Sequence, residues 1–318
     1  MLRGLSDDGF ASVDTGDLDV LGFDCARVER FADRLSEILT PSERLATRAL
    51  LFQGIWPTLK DFSKVHSVTE ILAAHSSRWI GEMLEARRYK SLMQPIVTPT
   101  GEVHGYEFLF RGLHPDGSLV PPMQIFDAAA DLDLSRRIDE AAGSSALDAA
   151  CRHQLAVKLF VNVMPATVLI EDAAFIRTWA DAAERTIDPK SVVFEIVESQ
   201  SVDDVRQLEQ LAKRLRSHGF QIALDDFGAG FNNLTLIPHV QPDYIKLDKA
   251  LVQRIDTDAR MWTLVANMID AAKQNGILVI AEGVETRKVA QMLETMGCDL
   301  LQGYHYGAPA EGPLVRKA

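Results

Sequence analysis

The chain has 318 residues, 47% hydrophobic and 25% charged, the proportions of an ordinary globular protein with room for one large domain and a smaller one. Its 33 basic residues against 45 acidic ones leave a net charge of −12, which argues against a nucleic-acid-coating surface but not against a small anionic ligand held through bound metal ions. No apolar stretch is long enough to span a bilayer, the acidic start M-L-R-G-L-S-D-D lacks a signal core, and Cys25, Cys151 and Cys298 follow no ligand spacing, so a cytoplasmic protein with reduced thiols is expected.

Residues 1–88 read as a helical accessory region. The first 22 residues carry Asp7, Asp8, Asp14, Asp17 and Asp19 with several glycines and are expected to be loosely ordered. Helical stretches are predicted over 26–39, 42–54 and 68–87, with Thr40-Pro41-Ser42-Glu43 as a break and helix start. The last of these leads directly into the first strand of a second domain, 89–318.

From Gln94 onward, runs rich in Val, Ile, Phe and Tyr predict strands at 94–98, 104–110, 158–163, 192–198, 221–227, 244–248, 277–282 and 300–305. Between them, apolar residues at helical spacing predict helices over 136–153, 203–217 (capped by Asp203) and 258–274. Eight strands mostly separated by helices favour an α/β fold, a (β/α)8 TIM-like barrel, over an open doubly wound sheet. Only T-P-T-G-E-V-H separates the first two strands, too short for a parallel crossover, so they should be antiparallel.

In such a barrel the reactive groups lie at the C-terminal strand ends. There the sequence places Glu107 and Arg111, Asn162, Glu195 and Glu198, Asp225 and Asp226, Lys246 and Asp248, Glu282 and Glu285, and Gln302. Singly, each reads as a solvated acid, a helix cap or a surface pair. Together they give seven consecutive strands an acid, an amide or a lysine at one end of the barrel, and such a concentration of like-charged carboxylates is costly without a compensating cation. Carboxylates with an amide oxygen, without His or Cys, suit Mg²⁺ or Mn²⁺, with Ca²⁺ as a competing inhibitor. Adjacent Asp225 and Asp226 suit two ions about 3.5–4 Å apart, the clamp used for in-line displacement at phosphorus. Lys246 suits the attacking water, and Arg111 a bidentate phosphate contact. The reaction class read from these residues is metal-assisted phosphodiester hydrolysis.

The stretch Q-P-I-V-T-P-T-G-E-V-H-G-Y-E-F-L-F-R resembles the opening of the EAL domain, the bacterial cyclic-di-GMP phosphodiesterase, with its signature on Glu107-Phe108-Leu109. The likeness continues through F-V-N-V-M-P, F-E-I-V-E-S, L-D-D-F-G-A-G-F-N-N-L, Y-I-K-L-D, A-E-G-V-E-T and L-Q-G-Y, over about residues 90–310. It implies hydrolysis of cyclic-di-GMP to linear pGpG with two Mg²⁺ or Mn²⁺ ions, held by Glu107, Asn162, Glu195, Asp225, Asp226 and Glu282. It further implies that Lys246 contacts the nucleophilic water, that Glu285 and Gln302 support metals and nucleophile, and that Leu109, Arg111 and Asp248 lie at the substrate. Glu198 would brace the 225–234 loop, through which a homodimer is expected. Phe108 stands where alanine is usual, and F-N-N-L where Y-S-S-L is commoner. A cyclic-di-GMP receptor without turnover, or a protein-interaction module, are the competing functions. No G-G-D-E-F-like stretch points to synthesis.

Overall fold

The apolar runs after residue 88 close on themselves. The computed structural model describes residues 11–13, 22–24, 39, 40, 43, 46–50, 65–68, 79–120, 124, 125, 132–164, 176, 179, 187–197, 205–228 and 233–314. Eight strands form a closed barrel: β1 (Tyr89–Val97), β2 (Val103–Gly112), β3 (Lys158–Val163), β4 (Val192–Val197), β5 (Gln221–Phe227), β6 (Tyr244–Leu247), β7 (Leu278–Ala281) and β8 (Leu300–Gln302). Strands β2 to β8 run parallel, while β1 is antiparallel to both of its neighbours, β2 and β8. The T-P-T-G-E link makes the tight turn expected of it: the Gly101 amide donates to the Thr98 carbonyl and the Thr98 amide to the Glu102 carbonyl, each at 2.8 Å.

Helices fill most of the crossovers: α1 (Leu132–Arg152) before β3, α2 (Val205–Ser217) before β5, α3 (Asn233–Val240) before β6, α4 (Lys249–Val252) and α5 (Ala259–Gln274) before β7, and α6 (Arg287–Thr295) before β8. The longer ones present an apolar stripe to the sheet. On α2 this is Leu208, Leu211, Ala212 and Leu215, as the periodicity predicts, although Val205 at its start is exposed; the Asp203 cap lies outside the described residues. On α5 the stripe is Val265, Ile269 and Ala272, while Trp262 in its first turn faces solvent at 39% exposure instead of joining it. Among the described residues no helix is long and apolar enough to cross a membrane.

Strand alternation splits the buried side chains in two. Outward-facing residues such as Phe108, Val161, Phe194, Leu224 and Val279 pack in one cluster with the helix stripes. Inward-facing Ile96, Phe160, Val193, Ala223, Tyr244, Ile280 and Leu300 form a separate ring inside the barrel. Gly105 shares their level, paired with Ile96. A Cβ there would meet the Lys158 carbonyl oxygen at 2.6 Å and the Phe160 ring at 2.9 Å, so the glycine makes room for that ring.

The chain divides into two compact units, residues 1–85 with 127–130, and 86–126 with 131–318. Two expectations for the first unit need correction. Ala11–Val13 pairs antiparallel with Gly22–Asp24, within the stretch expected to be loosely ordered. The helix predicted over 42–54 starts as foreseen but does not run through. Thr40 and Glu43 form a reciprocal capping box: the Thr40 amide donates to Glu43 Oε2 at 2.8 Å and the Glu43 amide to Thr40 Oγ1 at 3.4 Å. Arg48–Ala49 is then extended and pairs with His66–Ser67, and the Val68 amide donates to the Thr47 carbonyl at 2.9 Å. These partners replace the intrahelical bonds that a continuing helix would have made, a tertiary override of local propensity. The helix predicted over 26–39 lies outside the described residues except for Leu39. Of that over 68–87, Val68 and residues 79–85 are helical, and β1 begins at Tyr89.

Candidate active site

The inner apolar ring determines what stands above it. Two residues toward the C-terminal strand ends, the same inward face carries Glu107, Asn162, Glu195, Asp225, Lys246, Glu282 and Gln302. On antiparallel β1 the count runs backwards, from Ile96 to Gln94, which lies directly opposite Glu107. Every strand therefore contributes one polar residue to a single layer. Glu282 lies just past β7, but its amide still donates to the Leu247 carbonyl at 3.2 Å, which extends the ladder to it. Beside it the β7 and β8 ends are locked together: the Val284 amide donates to the Gln302 carbonyl at 3.0 Å. A Cβ on Gly303 would lie 2.2 Å from the Val284 oxygen, so only glycine permits this approach.

At the centre of the layer is Lys246, 1% exposed. Its Nζ lies 2.7 Å from Glu282 Oε1, 2.9 Å from Glu195 Oε1, 3.1 Å from Asp225 Oδ1 and 3.5 Å from Glu107 Oε2. Gln302 Nε2 donates to Glu107 Oε2 at 2.6 Å and Asn162 Nδ2 to Glu107 Oε1 at 3.1 Å. The charges shift one another. Burial works to raise the Glu107 carboxyl, but Lys246 and the two amides hold it below its ordinary range. Burial, with Glu107 and Asp225 adding to it, pushes Glu195 well up despite Lys246. Glu282 is pushed up to about 8 by burial, then by Asp225 and Glu107, against the pull of Lys246. Burial alone would lower Lys246; the carboxylates, Asp225 foremost, hold it well above its usual value. One ammonium does not neutralise this set.

Asp226 reaches the site through an irregularity. Simple alternation would turn it away from Asp225. Between Ile245 and Leu247 strand β6 advances two residues while β5 advances three, from Leu224 to Phe227, so β5 carries a bulge at the two aspartates. Asp226 takes a left-handed φ of +53° there, and its amide donates to Asp225 Oδ1 at 2.9 Å. The bulge gathers the acids: one oxygen from each of Asp225, Asp226 and Glu282 lies within 4.8 Å of the others. Burial, then Asp225 and Asp248, raise the Asp226 carboxyl.

The other predicted residues stand further out. Leu109 and Arg111 continue the inward face of β2 and are half-buried, with Arg111 Nη1 donating to the Phe110 carbonyl at 2.9 Å. Asp248 lies beyond β6 and caps α4, accepting from the Ala250 amide at 2.7 Å. Glu285 is exposed and accepts from Gln253 Nε2 at 2.9 Å. Glu198 lies outside the described residues, as do residues 229–232 of the 225–234 loop. Gln94 is the layer residue that inspecting C-terminal strand ends misses. Its strand runs the other way, so its N-terminal half faces the mouth, where Nε2 donates to the Gly307 carbonyl at 3.3 Å.

The donor set fits a hard divalent cation. It is all oxygen: Glu195 Oε2 and Gln302 Oε1 are buried without a hydrogen-bond donor, and Glu195 Oε1 faces the Lys246 ammonium at 2.9 Å. Clustered acids pushed toward protonation are what a cation would discharge.

An EAL domain family model matches residues 77–309. Over 221 residues the chain is 33% identical to the probable cyclic di-GMP phosphodiesterase PdeA of Escherichia coli K12, covering 68% of this chain and 30% of that protein. The cyclic di-GMP phosphodiesterase PdeL of the same organism is 27% identical over 235 residues, 72% of this chain and 64% of that protein. The chain thus spans less than two thirds of the length of either curated relative. Among solved structures, the FimX EAL domain from Pseudomonas aeruginosa bound to c-di-GMP superposes with a TM-score of 0.67 at 27% identity, covering 74% of this chain and 97% of that one. The c-di-GMP-bound standalone versatile EAL protein of Vibrio cholerae O395 superposes with a TM-score of 0.63 at 29% identity, covering 70% and 93%. A family model over most of the chain and a relative at 33% identity over two thirds of it place this chain in the EAL domain family.

Proposed function

We propose that the chain hydrolyses cyclic-di-GMP to linear pGpG, using two Mg²⁺ or Mn²⁺ ions. The observation that carries the reading is the complete polar layer, in which four carboxylates surround one buried lysine and Asp226 is brought beside them by a bulge. Glu107, Glu195, Asp225, Asp226 and Glu282 against Lys246 leave four negative charges when all are ionised, the charge of two divalent cations.

Glu107, Asn162, Glu195, Asp225, Asp226 and Glu282 would hold the ions. When bound, they stabilise charge on the phosphoryl group and make water ionise near neutral pH. The chain's own groups do the rest. Lys246 Nζ, positioned among the carboxylates, would turn one of its three N–H bonds from them to the attacking water. Gln302 and Asn162 hold Glu107 in one orientation. Arg111 clamps a phosphate at the mouth, Leu109 offers apolar contact, and Asp248 and Glu285 line the outer rim. Water adds to phosphorus, the ester bond to one ribose 3′ oxygen breaks, and that oxygen takes up a proton. Ca²⁺ would compete without supporting turnover.

Around this core the reading includes residues 1–88 as an accessory region, Glu198 as a brace for the 225–234 loop, a homodimer formed through that loop, and a cytoplasmic setting in a bacterium. The test is incubation of the purified chain with cyclic-di-GMP and Mg²⁺ or Mn²⁺. Formation of pGpG, lost in Glu107→Ala, supports the reading. Tight binding of cyclic-di-GMP without turnover would make the chain a receptor instead.

A further inference from the structure

We infer that Asp139, on helix α1 and outside the polar layer, is a positioning residue that holds Asn162 in the geometry a cation needs; this rests on the metal-site reading above. Asp139 is 6% exposed, and a carboxylate is rarely so buried without a task. It lies on the inward stripe of α1, among Leu134, Ile138, Ala141 and Ala146, all of them buried. Its Oδ2 accepts a hydrogen bond from the Met164 amide at 3.2 Å.

That bond falls where β3 loses support. The ladder between β2 and β3 ends at the pair Phe108 and Val161, although β3 continues to Val163. On the β4 side the pairing persists to Val163 and Ile196. Asn162 therefore lies one residue past the last β2–β3 pair, while its pairing with β4 continues. Its Nδ2 donates to Glu107 Oε1, which leaves Oδ1 as the atom to face a cation. A strand end held at one edge would let that oxygen swing, and metal affinity is sensitive to such looseness. Asp139 supplies the missing grip from the helix side, two residues beyond Asn162.

The role belongs to the hydrogen bond, so an acceptor of the same shape should serve. Mn²⁺ binding to the full chain, followed by titration calorimetry, is the readout, with circular dichroism as the check on folding. Asp139→Ala is expected to weaken Mn²⁺ binding by about tenfold or more, while Asp139→Asn stays within about threefold of the wild type. Equal affinity in Asp139→Ala and wild type overturns the role. So does an Asp139→Asn that loses as much as the alanine variant, because charge and not the bond would then matter. An Asp139→Ala chain that cannot fold also overturns it, since the residue would be holding the barrel and not one strand end. Wild-type protein that takes up no Mn²⁺ overturns the metal site first, and the role of Asp139 with it.

Discussion

Phe160 and Asn162 lie two residues apart on β3, and both face the barrel axis. Phe160 belongs to the dry ring, fully buried and set edge-on to Tyr244 with ring centroids 5.2 Å apart. Asn162 belongs to the layer above, half-buried, with its amide on a carboxylate. Identical strand geometry thus yields two kinds of matter. The lower ring gains stability from apolar burial and aromatic contact. The upper layer gives some of it back, because it holds like charges together in a partly dry place. The barrel can carry a destabilising layer because an apolar one supports it from beneath, and the same division recurs on every strand.

If the two layers differ as described, removing the cation at the centre of the upper one should have the largest consequence. Lys246→Met leaves a similar volume and four carboxylates without their ammonium. Turnover should vanish, and the metal-free protein should lose about 3–5 kcal/mol, measured by urea unfolding. Loss of activity with unchanged stability would show that the carboxylates relax into water and that the layer is wetter than its burial suggests.

Next come the two β3 residues themselves. Phe160→Ala should cost about 3–5 kcal/mol of stability and leave the Mn²⁺ affinity of the folded protein close to wild type. Asn162→Ala should do the reverse, costing less than about 1 kcal/mol while weakening Mn²⁺ by about 10–100-fold. Similar profiles for both would erase the distinction between the layers.

A smaller effect comes from the pH. With Glu282 pushed up to about 8, its carboxyl is mostly protonated at pH 7 in the metal-free protein. A protonated carboxyl is a poor ligand, so metal and proton compete for it. Affinity should therefore rise with pH, by about fivefold between pH 7 and pH 8, and flatten above about pH 9. Mn²⁺ titrations at fixed ionic strength read this directly. Affinity that is flat over the interval would place Glu282 outside the ligand set.

Much of this was legible in advance for a definite reason. Residues from Glu107 to Gln302 stand at strand ends, where period-2 alternation and barrel closure together dictate direction, and the short link between β1 and β2, five residues long in the structure, dictates their antiparallel pairing. What escaped depends on neighbours in space. Asp226 is named in advance by its place beside Asp225 and by the resemblance, but the register slip against β6 that turns it to the site is not visible in D-D-F-G, which reads equally well as a turn. Gln94 was overlooked because the reversed strand exchanges its ends. Asp139 looks like any polar residue on a helix until the end of β3 is laid against it. The pairing of Arg48–Ala49 with His66–Ser67 has too few residues for any periodicity to show.

Phe108 offers the subtlest test, since it stands beside Glu107 in the family signature yet on the other face of β2. It is 3% exposed and belongs to the outer cluster, with Met93 and Val161 as its partners on the adjoining strands. Helix α1 contributes small residues to the same cluster, Ala146, Ala149 and Ala150, which suits a large ring on the strand. Volume is thus balanced between strand and helix, on the face of β2 opposite to Glu107. Phe108→Ala should unfold more readily, by about 3 kcal/mol or more, because α1 cannot fill the gap. Its Mn²⁺ affinity should stay within about twofold of the wild type, because Glu107 remains held by Gln302, Asn162 and Lys246. If Phe108→Ala instead created turnover in a protein that otherwise only binds cyclic-di-GMP, the outer face would be governing the inner one. The phenyl ring would then be the feature separating a receptor from a hydrolase.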